Sequence, residues 1–517
     1  MTYLAVSIFA KNEDDFFRQL DCAKGKGAEA VEIRVDALTQ PGVESVLKMV
    51  RAAQKAKLPV IVTCRDKKEG GFNEVAPSLC LSILRESILA GAEFVDIEYA
   101  NFKCPDTHSV LKAAIEQSET KLILSSHNFD RPFEELDILY ESILAVYPDA
   151  IPKIVYKARH INDCFAAFDL LRDTDRPLIC FCMGAAGQIS RILAKKFGAF
   201  LTFASLDDDS ATAPGQVPVE RMKLFAWDRQ DADTEIFGLI GNPVAHSLGP
   251  ALYNACFDAE KINAVYLPFW VEGDREEFDA FLDCVSERCK FGFGGFSVTL
   301  PHKTHALDYA NQHGDYVDNL AEAIGAVNTL KIGFNGLLSA YNTDYAGAMD
   351  ALAGAMGAGR HDLHKSKVAV VGAGGVARAV VAGLADVGAR VTIYNRTLSK
   401  AESLAKEFGC KFASIDELAQ TKATILVNCT SLGMHPNVET SPVPEGVLHK
   451  NMIVFDTVYN PLQTKLLTDA KAIGATAVNG AEMFIRQAMA QYKIYIGDEP
   501  DEELMRKVVY ESLSSSV

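Results

Sequence analysis

The chain has 517 residues, 49% hydrophobic and 23% charged, a balance that fits about two to four packed domains and excludes long disordered tracts. Its formal net charge of −17 opposes phosphate backbones and argues against nucleic acid as a partner. No apolar run approaches the ~18 residues that cross a bilayer. The opening Tyr3-Leu4-Ala5-Val6-Ser7-Ile8 is strand-like with no basic leader before it, so a cytoplasmic protein without a membrane partner is expected. The twelve cysteines form no Cys-x-x-Cys pair, and reduced core thiols fit better than disulfides or a metal site. No metal is expected.

Short β-branched runs fall at residues 3–8, 30–34, 59–64, 94–98, 121–125, 153–156, 177–182 and 200–204, with helical stretches between them. Eight βα units in about 220 residues are the count and length of a (β/α)8 barrel. Polar residues recur at or just after these runs: Glu32 and Arg34, Arg65, Glu98, His127, Lys153, Arg191, then Thr212 and Gln216. A barrel's C-terminal mouth requires that pattern, whereas a doubly wound sheet would gather such groups at one switch point. The expected fold is therefore α/β, opening with a TIM barrel over residues 1–228.

Residues 227–234 are polar and read as a short linker. A mixed α/β lobe follows over 236–345, completed by a C-terminal helix over about 486–517. Between them, over 346–485, strands alternate with helices in a Rossmann-type lobe. There Lys367-Val368-Ala369-Val370-Val371 runs into Gly372-Ala373-Gly374-Gly375-Val376-Ala377 and a helix-like segment from Arg378. A glycine pattern between a strand and a helix lets backbone approach a pyrophosphate at the helix N-terminus. An NAD binder carries a carboxylate about 20 residues on. This chain has Asn395-Arg396-Thr397 and then Lys400, cations that suit a 2′-phosphate, so the expected cofactor is NADP.

A lysine destabilised by burial or nearby cations attacks carbonyls to form imines. Lys153 opens an apolar run, His127 ends the preceding one as a proton carrier, and Glu69 could orient its imidazole. A surface lysine and a loop histidine are the plainer alternative. Lys157 shares the strand parity of Lys153 and is a rival amine.

Several pieces together resemble the type I 3-dehydroquinate dehydratases: Glu32-Ile33-Arg34-Val35-Asp36, Thr63-Cys64-Arg65 with Glu69-Gly70-Gly71, Ser126-His127-Asn128-Phe129, Pro152-Lys153-Ile154, Met183-Gly184 through Ser190-Arg191, and Ala213-Pro214-Gly215-Gln216. The resemblance implies that Lys153 forms a Schiff base with 3-dehydroquinate and that His127 carries the proton, without a metal. It implies that Glu32, Arg34 and Arg65 hold ring hydroxyls and that Arg191 and Gln216 grip the carboxylate. Met183 and Thr212 are the remaining substrate-side residues. Thr212 stands where that family usually has serine.

The second half resembles the shikimate dehydrogenases. The motifs are His246-Ser247-Leu248-Gly249-Pro250, Ser297-Val298-Thr299-Leu300-Pro301-His302-Lys303, Ala326-Val327-Asn328-Thr329, Asn342-Thr343-Asp344, Asn428-Cys429-Thr430-Ser431, Asp456-Thr457-Val458-Tyr459 and Gly480-Ala481-Glu482-Met483 with Gln487. The resemblance implies that Lys303 and Asp344 pass the proton in ketone reduction. Ser247, Thr299, Asn328 and Gln487 would bind substrate with Tyr459 beside them, and Thr430, Ser431, Val458, Gly480 and Met483 would line the cofactor. That family usually has a second serine where this chain has Gly249, which suggests weakened shikimate binding and quinate turnover. The domain order is that of a fused dehydratase–dehydrogenase working as a monomer or weak homo-oligomer on small molecules. A quinate/shikimate dehydrogenase fusion and a non-catalytic repressor relative are the alternatives.

Overall fold

The computed structural model describes residues 2–208, 214–244, 247–333 and 335–514; Thr212 and His246 lie outside them. The chain divides into two compact units, Met1–Glu235 with Asn263–Arg288, and Ile236–Ile262 with Cys289–Val517.

Unit 1 is built on β1 (Tyr3–Ile8), β2 (Ala30–Arg34), β3 (Val60–Thr63), β4 (Phe94–Glu98), β5 (Lys121–Asn128), β6 (Ile151–Lys157), β7 (Ile179–Met183) and β8 (Leu201–Ala204). Their order is β7-β6-β5-β4-β3-β2-β1-β8, and each ladder is parallel. Parallel neighbours need crossovers, which helices such as Glu13–Lys26 and Val43–Lys55 supply. The Phe200 N–H donates to the Leu178 carbonyl at 2.8 Å, bringing the start of β8 to that of β7 and leaving a nearly closed TIM barrel.

Residues of one parity along each strand point inward. Ala5, Ala30, Ile61, Phe94, Ile123, Ile151, Ile179 and Leu201 pack as an apolar floor. Two residues further along, six strands carry Ser7, Glu32, Thr63, Asp96, Ser125 and Lys153, all buried. The barrel thus changes from apolar to polar within one step of the pleat, toward the C-terminal mouth. β5 and β6 are longer than the sequence suggests. Their ladder pairs Ser125 with Lys153 and His127 with Val155, so both expected catalytic residues sit within strands, where ladder hydrogen bonds fix their backbone.

The stretch read as a linker is packed. Trp227, Gln230 and Thr234 are buried, the Lys196 ammonium donates to the carbonyls of Ala232 at 3.1 Å and Thr234 at 2.5 Å, and Lys195 donates to that of Trp227 at 3.0 Å. This stretch leads to β9 (Glu235–Gly241). Further on, β10 (Ala264–Trp270) and the helix Arg275–Ser286 group with the barrel although they fall within the stretch assigned to the substrate lobe. The physical reason is local: Phe281 packs on Phe165 with ring centroids 6.1 Å apart, and Arg288 reaches Asp169 at 2.9 Å.

In unit 2, β11 (Phe293–Val298), β12 (Tyr316–Val317), β13 (Thr329–Ile332) and β14 (Leu338–Tyr341) join β9 in the order β9-β11-β13-β14-β12, with parallel and antiparallel ladders mixed. A second sheet holds β15 (Lys367–Val371), β16 (Arg390–Asn395), β17 (Lys411–Ser414), β18 (Ile425–Asn428), β19 (Ile453–Asp456) and β20 (Thr476–Val478). It is parallel throughout in the order β17-β16-β15-β18-β19-β20, the doubly wound Rossmann arrangement. β17 escaped the sequence reading because it is a short edge strand with Lys411 and Phe412 exposed. The helix after the glycine pattern runs Gly375–Asp386, beginning three residues before the expected start.

Candidate active sites

The polar layer of the barrel opens into a cavity of about 360 Å³ lined by Ser7, Glu32, Arg34, Arg65, His127, Lys153, Phe181, Arg191, Phe203 and Gln216. Lys153 lies on its floor, its ammonium 2.7 Å from Asp96 Oδ2, 3.7 Å from Glu32 Oε1 and 4.5 Å from the Phe203 ring centroid. Arg65 donates to Asp96 at 2.8 Å, to Glu98 at 2.7 Å and to Ser125 Oγ at 2.7 Å. Ser125 in turn donates to Asp96 Oδ1 at 2.6 Å. Ser7 and Thr63 donate to the two oxygens of Glu32, at 2.5 and 2.8 Å. Buried charges persist when paired and hydrogen-bonded, as these are. Burial would raise the Asp96 carboxyl, but Arg65 and Lys153 outweigh it and hold the group well below the usual carboxylate range.

His127 Nδ1 stands 3.0 Å from Glu69 Oε2. Burial, together with the cations Arg65 and Lys153, holds this imidazole well below its ordinary range. It is therefore neutral near pH 7. An ionised Glu69 accepts the Nδ1 proton and leaves Nε2 as the basic nitrogen. Burial pushes the Glu69 carboxyl up to about 7, with Arg65 lowering it and Glu98 raising it. Arg191 is 1% exposed; its guanidinium lies 4.3 Å over the Phe181 ring, and its Nε and Nη1 find no hydrogen-bond partner among the described residues. Burial lowers its pKa to about 10, so it remains a cation near pH 7. A buried guanidinium with free donors is a receptor for an anionic group.

Arg34 is held by both oxygens of Asp36, at 2.9 and 2.8 Å, which aims it at the cavity rim. Gln216 is placed by a turn that only glycine permits. Gly215 has φ +79°, and a Cβ there would meet the Gly184 carbonyl oxygen at 2.2 Å. Met183 packs in the apolar barrel interior. Lys157 is exposed, while Lys153 reaches the cavity. Asp96, Ser125, Ser7 and Thr63 were missed as site residues. The signal that finds them is strand parity, since each lies two residues beyond an apolar floor residue.

In unit 2, Lys303 opens the helix Lys303–His313 and Asp344 opens the helix Asp344–Met356. The Lys303 ammonium donates to Asp344 Oδ2 at 2.5 Å, and Asn328 Nδ2 donates to Asp344 Oδ1 at 2.9 Å. Gln487 Oε1 lies 3.5 Å from Asn328 Nδ2. Four expected residues therefore converge on one cleft. Thr299 directly follows β11, and a Cβ on Gly241 would meet its methyl at 2.4 Å, so a glycine lets the two segments approach. Ser247 accepts from the Gly249 N–H at 3.1 Å at the start of the helix Gly249–Ala259. Burial raises the Tyr459 phenol; its ring packs 5.4 Å from Phe484. Among the described residues, no hydrogen bond ties Ser247, Thr299 or Tyr459 to the Lys303–Asp344 pair.

The glycine loop after β15 fits a dinucleotide. Gly372 has φ +112°, and Cβ atoms at Gly374 and Gly375 would meet nothing within 4 Å, which leaves backbone open at a helix N-terminus. Ala373 and Val376 pack against the lobe's core, and Ala377 is buried in it. Arg396, Thr397 and Lys400 are exposed after β16, where Asn395 Nδ2 donates to the Thr397 carbonyl at 2.8 Å. Thr430 is shaped by Asn428, whose Oδ1 accepts from its N–H at 2.9 Å and its hydroxyl at 2.7 Å. Asn428 is itself held by the buried Asp456 at 2.9 Å, which also receives the Val458 N–H at 3.1 Å. Ser431 is exposed beside Thr430. Gly480, where a Cβ would meet the Thr457 carbonyl at 2.5 Å, starts the helix bearing Met483 and Gln487.

A barrel with a buried lysine and imidazole, joined to a two-sheet unit with a dinucleotide loop and a lysine–aspartate pair, defines a dehydratase–dehydrogenase fusion. The Type I 3-dehydroquinase family matches residues 4–226. The shikimate dehydrogenase substrate binding domain matches 239–330, Shikimate / quinate 5-dehydrogenase 355–459, and the Shikimate 5'-dehydrogenase C-terminal domain 480–510. The chain is 35% identical to the bifunctional 3-dehydroquinate dehydratase/shikimate dehydrogenase, chloroplastic, of Arabidopsis thaliana, over 98% of this chain and 84% of that one. It is 42% identical to the shikimate dehydrogenase (NADP(+)) of Methanosarcina barkeri, over 54% of this chain and 99% of the relative. A crystal structure of a shikimate dehydrogenase in complex with NADP+ superposes with a TM-score of 0.50 at 37% identity, covering 55% of this chain and 97% of that one. The chain belongs to the family of bifunctional 3-dehydroquinate dehydratase/shikimate dehydrogenases. The quinate-directed and repressor alternatives are not favoured by these matches.

Proposed function

We propose that Lys153 and His127 carry the dehydratase chemistry and that Lys303 and Asp344 carry the proton transfer of the reductase. The chain is a bifunctional shikimate-pathway enzyme, a 3-dehydroquinate dehydratase (lyase) and an NADP-dependent shikimate dehydrogenase (oxidoreductase). No described helix is long and apolar enough to cross a membrane. Cytoplasmic residence suits its twelve free cysteines. We read the protein as a monomer or weak homo-oligomer with small-molecule partners only.

One observation carries the first assignment: a buried amine on the cavity floor, with a neutral imidazole lining the same cavity. The Lys153 amine adds to the C3 carbonyl of 3-dehydroquinate, and loss of water gives an imine. Neutral His127 removes the C2 proton through Nε2, and the electron pair moves into the imine. The C1 hydroxyl then takes that proton and leaves as water, and hydrolysis of the imine frees Lys153 and 3-dehydroshikimate. Arg191, with free buried donors, receives the substrate carboxylate along with Gln216, while Glu32, Arg34 and Arg65 order the ring hydroxyls. Asp96 keeps Lys153 at the centre of this ring.

In the second unit, NADPH when bound would supply the hydride for reduction of the ketone carbon. Lys303 donates a proton to the oxygen as it becomes an alkoxide, and Asp344 orients the ammonium. Asn328, Gln487, Ser247, Thr299 and Tyr459 hold the substrate. Backbone at Gly372, Gly374 and Gly375 would hold the pyrophosphate, and Arg396 with Lys400 would hold the 2′-phosphate. The deciding experiment is a coupled assay starting from 3-dehydroquinate and NADPH, with borohydride trapping and peptide mapping of the imine. NADPH oxidation and label on Lys153 are expected; label on Lys157 refutes the assignment.

A further inference from the structure

Beneath the Lys303–Asp344 pair lies a buried run of amide and hydroxyl groups that ends on Asn328. Gln491 follows Gln487 by one turn on the helix Gly480–Ile496 and is 2% exposed. Its Nε2 donates to the Asn328 backbone carbonyl at 3.0 Å. A backbone carbonyl only accepts, so this contact fixes which end of the Gln491 amide is nitrogen. Oε1 then accepts from Ser297 at 2.9 Å and from Tyr253 at 2.7 Å. The Tyr253 hydroxyl also lies 3.2 Å from the Ala488 carbonyl, so the Asn328 contact, not the phenol, decides the orientation.

The second N–H of Gln491 reaches Thr329 Oγ1 at 2.9 Å. Thr329, having accepted there, has one proton to give, and it lies 2.7 Å from Asn328 Oδ1. The Thr343 N–H donates to the same oxygen at 2.8 Å. With Oδ1 covered by these two donors and the Thr343 hydroxyl a further 3.3 Å from it, the amide nitrogen of Asn328 is left for Asp344 Oδ1 at 2.9 Å and Thr343 Oγ1 at 3.0 Å. The two ends of a carboxamide are nearly equal in shape, and a substrate hydroxyl can bind either one. The surrounding donors, together with the Asp344 carboxylate that only accepts, decide which end faces Asp344.

We propose that Gln491 and Thr329 are positioning residues of the reductase site: their hydrogen bonds run in one direction and keep the donor end of Asn328 on Asp344 while substrate binds. This rests on Lys303 and Asp344 being the proton-transfer pair. The test measures shikimate oxidation with NADP+ and 3-dehydroquinate dehydration on the same full-length preparations. Thr329→Val keeps the shape and removes the hydroxyl; its kcat for oxidation is expected to fall about tenfold, with the KM for NADP+ and the dehydratase rate unchanged. Thr329→Ser restores the hydroxyl and is expected to stay within about twofold of the parent. Gln491→Glu places a carboxylate oxygen against the Asn328 carbonyl and is expected to lower kcat at least as far as Thr329→Val.

Parental kcat in Thr329→Val, or a Thr329→Ser enzyme as impaired as Thr329→Val, overturns the proposal. If Thr329→Val no longer binds NADP+, Gln491→Glu decides alone, and parental kcat there overturns it. Lys303→Met separates the two possible failures. Loss of oxidation in Lys303→Met beside a parental Thr329→Val condemns the relay alone. Parental oxidation in Lys303→Met condemns the pair and the relay with it.

Discussion

The barrel mouth and the reductase cleft both place a lysine beside an aspartate, yet the two pairs live in different media. The side chains of Lys153 and Asp96 are 5% and 0% exposed, and Arg65, Glu98 and Ser125 close around them. Those of Lys303 and Asp344 are 22% and 13% exposed, at the first residues of two helices. A lysine proposed to bond covalently to its substrate has to be held in one place through several steps, and a buried network on barrel strands suits that role. A lysine that delivers one proton has to share its cleft with a cofactor that comes and goes. On the proposed roles, the same kind of ion pair is enclosed in one unit and half-open in the other.

The comparison is tested most severely at the lysines. Lys153→Ala is expected to lower dehydratase kcat at least about 10⁴-fold while shikimate oxidation stays at the parental rate; a smaller loss removes covalent catalysis from the barrel. Lys303→Met is expected to cost the reductase about 10³-fold in kcat without touching dehydration. Arg396→Ala tests the cofactor side of the open cleft, and steady-state kinetics are expected to show a KM for NADPH raised roughly tenfold or more. The closed mouth carries a pH signature. Glu69, at about 7, is ionised above that pH and accepts the Nδ1 proton of His127. Below it the carboxyl is protonated, the Nε2 base is lost, and dehydratase kcat/KM is expected to fall as pH drops through about 7 in a pH–rate profile. Glu69→Gln is expected to flatten that limb and lower the rate about tenfold at pH 8. Gly249→Ser should have the smallest effect, a KM for shikimate lowered about threefold; an unchanged KM would show that the Gly249 position does not touch the carboxylate.

Much of this was readable from the chain. β1, β2 and β4 run over the residues that the apolar runs suggest, because nearly every residue in them is buried. Lys153, His127, Arg65 and Arg191 stood out by residue type and position. Asp96 did not, since one aspartate within Phe94-Val95-Asp96-Ile97-Glu98 announces itself only when parity is followed across six strands. Gln491 was invisible beside Gln487, because nothing in a helical segment says which of two glutamines meets a neighbouring strand. The stretch 227–234 reads as a linker from its charges, yet Lys195 and Lys196 cap its carbonyls, a long-range contact that composition cannot reveal.

The sequence by itself determined the barrel, the dinucleotide loop and the candidate catalytic side chains, because periodicity, glycine spacing and residue type are local properties. Only the tertiary structure decided how those groups are poised. Asp96 between Lys153 and Arg65, Glu32 between Ser7 and Thr63, and the direction of the hydrogen bonds from Gln491 to Asn328 all join residues far apart in the chain. A hydrogen bond's polarity and a buried charge's neutrality belong to a set of neighbours, and the fold alone assembles that set.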